Sequence, residues 1–198
     1  MVTIGVVIGS VRPGRMGLRL AKFVQRELEQ RPNVKVEVID PLALNLPVLV
    51  NRYSAMKDKP DCPPSLHEAA KSFQKCDAFL LVSPEYNYTI PPAISNTLDY
   101  FYSDEFNLKP VGVASYSMGS FGGVRAATAM MPLFQCVGLV GIIKQFPVPT
   151  IQNALNEEGE LLEKTSYPKM KENFKGFASE LIWFAETLGE GKKNYPKA

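Results

Sequence analysis

Gly9, Ser10, Arg12, Gly14, Arg15 and Gly17 crowd into residues 9–17, which read Gly-Ser-Val-Arg-Pro-Gly-Arg-Met-Gly. Glycines let a backbone approach a ligand closely, Ser10 adds a hydroxyl donor, and Arg12 and Arg15 add forked cationic donors suited to a terminal phosphate monoester. Val2, Ile4, Val6, Val7 and Ile8 lead into this stretch as a buried strand, while Leu20, Ala21, Val24 and Leu28 follow it at helical spacing. A strand-to-helix junction of this kind offers an anion unpaired N–H groups and the positive end of a helix dipole. Two better-known phosphate motifs do not fit. Gly9-x4-Gly14 has the spacing of a nucleotide-triphosphate loop, but Arg15 replaces its Lys and Met16 its Ser or Thr. Ser10 and Val11 after Gly9 break the dinucleotide pattern G-x-G-x-x-G. The competing reading is a plain turn at Pro13-Gly14 with both arginines in solvent.

Composition sets outer limits. A chain of 198 residues with 45% hydrophobic and 21% charged content is expected to form a single domain over residues 1–198. Its net charge of +2 is too small to imply a nucleic-acid partner and unlike the acidic balance of a small electron carrier. Cys62, Cys76 and Cys136 lie far apart with no C-x-x-C pair, so they read as reduced thiols rather than as a metal or dithiol site. No basic leader precedes the first strand and no apolar stretch reaches membrane length, so a cytoplasmic protein without a membrane partner is expected.

The elements that must position the loop follow in alternation. Val34, Val36, Val38 and Ile39 form a second strand ended by Asp40-Pro41, and residues 42–64 make an irregular excursion. Ser65-x-x-Glu68 is read as a capping box for a helix carrying Leu66, Ala69, Ala70 and Phe73, with His67 exposed in its first turn. Residues 78–82 are a buried strand, Pro91-Pro92 opens the next helix, and Val111, Val113 and Ala114 mark a fourth strand. A glycine-rich loop, residues 115–123, leads into a helix near Val124 that Pro132 should kink or end. Residues 137–146 read as a fifth strand. Met170, Phe174, Phe177, Ala178, Leu181, Ala185 and Leu188 define a last helix stopped by the tail from Gly189 to Lys193. The expected fold is therefore α/β, a three-layer sandwich around a five-stranded parallel sheet in the order 2-1-3-4-5.

In that order the loops after strands one, three and four open together on the carboxyl edge of the sheet. The third-strand loop brings Tyr86, Asn87 and Tyr88, which could line a flat aromatic ligand, and the fourth-strand loop offers small residues and free N–H groups. Phosphate at one place and a planar heteroaromatic at another describe flavin mononucleotide (FMN) better than a free nucleotide. Tyrosines that simply pack the rim remain the alternative.

Gly9-Ser10-Val11-Arg12, Ser83-Pro84-Glu85-Tyr86-Asn87 with Pro91 and Asn96-Thr97-Leu98-Asp99, and the turn from Gly119 to Gly123 together resemble the NAD(P)H-dependent FMN reductase family, from residue 2 to about residue 147. This is a flavodoxin-like branch that includes quinone, azo-dye and chromate reductases. The resemblance implies that Ser10, Arg12 and the backbone of Arg15, Met16 and Gly17 bind the FMN phosphate. It also implies that Pro84, Glu85, Tyr86 and Asn87 border the ring and ribityl chain, and that Ser117 and Gly119 meet the pyrimidine edge. Arg15 and Met16 depart from the small hydroxyl or amide residues of many relatives. The implied chemistry is hydride transfer from NADPH or NADH to flavin N5 and on to a quinone or similar acceptor such as an azo dye, a flavin or chromate. No side chain acts as a catalytic group and no metal is implied. Tyr86 and Tyr88 would shape the open face of the flavin.

Arg15, Arg19, Lys22 and Arg26 recur at helical spacing, which reads as a solvated basic face, with recognition of an NADPH 2′-phosphate by Arg15 as the sharper option. Relatives are commonly homodimers or homotetramers, and Tyr100, Tyr102 and Phe106 look like exposed interface aromatics. An electron carrier of the same fold and a protein partner gated by flavin redox state are the rival functions.

Overall fold

The first apolar run, Val2–Ile8, forms β1 at the middle of the sheet, flanked in parallel by β2 (Val34–Ile39) and β3 (Ala78–Pro84) in a computed structural model that describes residues 1–196. β3 pairs with β4 (Pro110–Tyr116) and β4 with β5 (Val140–Gly141), all parallel, giving the expected order 2-1-3-4-5. The registers Ile8 to Val82 and Val82 to Ala114 keep the ends of β1, β3 and β4 level, so their following loops share one edge.

Successive strand residues point to opposite faces, and both faces are apolar because both are covered by helices. Leu80 and Val82 join Ile4, Val6 and Ile8 beneath α1 (Gly17–Glu29) and the long terminal helix, while Phe79 and Leu81 join Val7 on the other face. There they pack against α3 (Pro64–Lys75), α4 (Pro92–Tyr100), α6 (Val124–Ala129) and α7 (Met131–Val137). The remaining helical pieces are α2 (Tyr53–Met56) in the irregular excursion, α5 (Ser103–Phe106), α8 (Ile151–Ala154) and the terminal α9 (Met170–Gly191). Pro132 does divide the helix after the glycine-rich loop: Met130 is shared between the end of α6 and the start of α7.

Several sequence expectations need correction. The fifth strand is only Val140–Gly141, because Val137 still belongs to α7, which Gly138 closes at φ 88°. Beyond it, Ile142 donates to Val111 and Phe146 to Val113, so four residues advance against two of β4; the extra chain bulges outward and leaves Ile143 exposed. The capping box at Ser65 does not form, since α3 begins two residues earlier, with Pro63 as its N-cap, Pro64 in its first turn and no side-chain cap. His67 is half-buried and hydrogen-bonded through Nδ1 to the Tyr53 hydroxyl at 3.0 Å. The last helix ends inside the expected tail, passing Gly189 and closing at Gly191 into a 3-10 turn, Lys192–Asn194. Tyr100 and Phe106 are buried, the phenol of Tyr100 donating to the Val48 carbonyl, so of the three proposed interface aromatics only Tyr102 is exposed.

Candidate functional site

Residues 9–17 do link the end of β1 to the start of α1. Gly17 opens that helix, and a Cβ there would lie 2.7 Å from the Tyr116 hydroxyl, so glycine leaves room for that phenol beside the start of α1. Burial pushes that phenol well above its usual pKa, keeping it neutral. Met16 occupies the N-cap, half-buried against the core, with no side-chain cap hydrogen bond on this 13-residue helix among the described residues.

Ser10 is buried, and its hydroxyl lies 2.7 Å from that of Tyr86. Arg12 is exposed, with its guanidinium 5.0 Å from the centre of the Tyr86 ring. Arg15 turns inward: Nη1 donates to Asp40 Oδ1 at 2.8 Å and to the Ser10 carbonyl at 2.6 Å, and Nη2 donates to Asp40 Oδ2. Its guanidinium is thus committed to protein acceptors.

The basic stripe beyond Arg15 is only partly solvated: Lys22 is exposed and Arg19 and Arg26 are half-buried, and each also has an acceptor on the protein. Arg19 donates to the Leu155 carbonyl at 3.0 Å, Lys22 to Glu157 at 2.9 Å and Arg26 to Glu158 at 2.7 Å. These side chains hold down a strap, residues 155–161, closed by an antiparallel bridge between Leu155 and Leu161.

The loop after β3 is a two-residue turn. Tyr86 and Thr89 exchange backbone hydrogen bonds, and the central residues Asn87 and Tyr88 have φ 52° and 63°, the mirror-image geometry of a tight hairpin. Pro84 is buried. Glu85 points away from the groove: Oε2 accepts the N–H groups of Arg125 and Ala126 at 3.0 and 3.3 Å, and Oε1 meets the Arg125 guanidinium at 3.2 Å. Arg125 in turn lies 4.3 Å from the ring centres of both Tyr88 and Phe121, which joins the loops after β3 and β4 at the rim.

In the loop after β4, Ser117 donates its hydroxyl to the Gly119 carbonyl at 2.9 Å, and Gly119 also accepts from Thr150 N–H at 3.0 Å. Gln152 holds the Met118 carbonyl at 3.1 Å. The structure therefore gathers Arg12, Arg15, Met16, Pro84, Glu85, Tyr86 and Ser117 around one groove of about 430 Å³. Asn87 lies beside a second groove of about 710 Å³ on the other side of the Arg12–Tyr86 pair. Tyr88 and Gly119 line neither groove.

Tyr116, Met118, Asp40 and Arg125 complete this edge and were not singled out from sequence. Tyr116 had a signal, as the last strand residue before a glycine-rich loop, whereas Asp40 looked only like a strand terminator and Arg125 like any helix residue. The donor set suits a phosphate-tailed planar ring: a free helix start with a glycine cradle and Arg12, next to aromatic and small polar loops. Among the described residues no cluster of His, Cys, Asp and Glu could hold a metal ion, and no helix is long and apolar enough to cross a membrane.

Comparisons with known proteins identify the family. The family profile described as NADPH-dependent FMN reductase matches residues 2–153. The chain is 33% identical over 140 residues to an NAD(P)H-dependent FMN reductase of a Nectria species, a match spanning 64% of each chain. It is 23% identical to a quinone reductase of Escherichia coli over 80% of this chain and 84% of that one. Among solved structures it superposes on a flavoenzyme NAD(P)H:(acceptor) oxidoreductase of Paracoccus denitrificans with a TM-score of 0.74 and 25% identity, over 94% of this chain and 98% of that one. With the flavodoxin-like sheet order and the three loops converging on its carboxyl edge, these matches show that the chain belongs to the NADPH-dependent FMN reductase family.

Proposed function

We propose that this protein holds FMN across the carboxyl edge of its sheet and reduces quinones or similar small acceptors at the expense of NADPH or NADH. Ser10, Arg12 and the backbone N–H groups of Met16 and Gly17 would hold the phosphate, the Arg15 N–H being taken by the Arg12 carbonyl. Pro84, Tyr86 and Asn87 would border the ring, and Ser117 and Gly119 would meet its pyrimidine edge. Glu85 contributes through its backbone, because its carboxylate caps α6. When bound, FMN supplies the capacity to take a hydride from a nicotinamide and pass reducing equivalents to an acceptor.

The side chains bind, orient and keep charge in order. Tyr116 stays protonated beneath the loop, so no phenolate opposes a phosphate there. Arg12 remains available as a forked donor, since its guanidinium rests on the Tyr86 ring rather than in an ion pair. Tyr86 and Tyr88 shape the face where nicotinamide and acceptor would alternate, with Tyr88 held by Arg125. A homodimer or homotetramer belongs to the same proposal and is checked by light scattering.

The observation that carries this reading is the uncapped first turn of α1 opening beside Arg12 and Tyr86 on a groove bounded by all three loops. The test is to reconstitute the purified protein with FMN, pass it through gel filtration, and follow NADPH oxidation with a quinone, an azo dye, chromate and free flavin. Retained flavin with quinone-dependent NADPH consumption is expected. Failure to retain flavin would overturn the assignment, and retained flavin without direct NADPH oxidation would favour an electron carrier.

A further inference from the structure

We propose that Arg15 and Asp40 form a brace that holds the phosphate loop in its anion-accepting shape without either side chain touching the anion. The inference rests on the FMN reading above and assigns Arg15 and Asp40 as positioning residues, Arg12 being the guanidinium that meets phosphate.

The geometry is a closed ring. Arg15 reaches the Ser10 carbonyl with its side chain at 2.6 Å and the Arg12 carbonyl with its backbone N–H at 3.2 Å, so residues 10–15 are tied at both ends by one residue. Asp40, from the end of β2, grips the same guanidinium through both carboxylate oxygens, and its Oδ1 also accepts the Leu42 N–H at 3.0 Å. The Arg15 side chain is 9% exposed and that of Asp40 17%, so the pair is largely out of water, where a two-point carboxylate fork is geometrically strict.

Holding the Ser10 carbonyl has a direct consequence for an anion. In a trans peptide the carbonyl and the next N–H point in opposite directions, so a Ser10 carbonyl drawn to the guanidinium aims the Val11 N–H the other way. Released, that peptide could rotate and present a carbonyl dipole to the phosphate. Arg15 also brings little net charge to the site, because Asp40 neutralises it at contact distance. This explains how a bulky cation can stand beside the start of α1 while the helix start itself stays open.

The brace and a direct phosphate contact differ in sign. If Arg15 were a phosphate ligand, Asp40 would compete with the phosphate for it, and Asp40→Asn would free the guanidinium and tighten FMN binding. If the pair is a brace, Asp40→Asn loosens the loop and weakens FMN even though a negative charge has been removed. The experiment titrates apoprotein with FMN and with riboflavin, which lacks the phosphate, by flavin fluorescence for wild type, Asp40→Asn, Arg15→Ala, the double variant and Arg12→Ala, with circular dichroism to confirm folding. The expected result is about tenfold weaker FMN binding in either single brace variant, a similar loss in the double, and riboflavin affinity within about threefold of wild type. Tighter FMN binding in Asp40→Asn, unchanged FMN binding in both single variants, or equal losses for riboflavin and FMN would overturn the brace. If wild type binds FMN no better than riboflavin and Arg12→Ala changes neither, the phosphate site is misplaced and both readings fall. A normal loss in Arg12→Ala beside unaffected brace variants sinks the brace alone.

Discussion

The hydroxyl oxygens of Ser10 and Tyr86 lie 2.7 Å apart, joining the loops after β1 and β3 across 76 residues of sequence. Ser10 is buried while Tyr86 keeps its ring beneath Arg12, so the contact can be removed without removing the ring. Tyr86→Phe should lower the unfolding free energy of the apoprotein by about 1 kcal/mol in urea titrations, the usual net value of a neutral hydrogen bond. Its FMN affinity should stay within about threefold of wild type, since the aromatic ring, the Ser10 hydroxyl and Arg12 all remain.

Glu85 is placed to be structural. Its carboxylate receives two first-turn N–H groups of α6 and the Arg125 guanidinium. Glu85→Ala should destabilise the protein by about 2 kcal/mol, the upper range for loss of a helix cap. Glu85→Gln, which keeps an acceptor but not the charge, should fall between the two in chemical denaturation.

The strap over α1 depends on a glycine. At Gly159, φ is 72° and a Cβ would lie 2.5 Å from the Arg19 carbonyl oxygen and 2.8 Å from the Phe23 nitrogen, both backbone atoms with little room to yield. Gly159→Ala should cost at least about 2 kcal/mol and raise hydrogen exchange in residues 155–161, because the strap must lift from the helix.

Lys109 gives a pH signature. Its ammonium donates to the Phe73 carbonyl at 2.9 Å at the end of α3, and burial, reinforced by the charge of Lys192, lowers its pKa from 10.5 to about 8. The folded protein therefore gives up this proton before the unfolded chain does. Stability linked to Lys109 rises as pH climbs from about 8 toward 10.5 and is least below that window. Unfolding free energies at pH 7.5 and 10 should show wild type gaining relative to Lys109→Met as pH rises, and an unchanged difference would contradict the linkage.

Tyr88 has a rim role under the proposed function. Its ring is exposed, at a φ unusual for a bulky residue, and is held against Arg125. Tyr88→Ala should raise the KM for a quinone about threefold, the loss of part of one aromatic contact, while FMN affinity stays unchanged. Equal KM values in steady-state assays would remove Tyr88 from the acceptor site.

The sheet order, the strand-to-helix junction at residues 9–17 and the family were legible in the chain alone. Continuous β-branched runs, glycines at a strand end and a strong helical period are local signals that need no knowledge of distant residues. The short fifth strand was not legible, since apolar residues 137–146 look alike whether they extend a sheet or bulge from it; Gly138 in a left-handed turn and the register against β4 decide that. The fate of each charge was equally hidden. Arg15, Arg19, Lys22 and Arg26 form a uniform stripe in sequence, but Asp40 and the carbonyls of residues 155, 157 and 158 claim them, and Glu85 turns from the groove to α6. A residue's type states which partners it could take, and spacing states which element carries it. Which partner it takes depends on acceptors brought from far along the chain, and only tertiary structure supplies those.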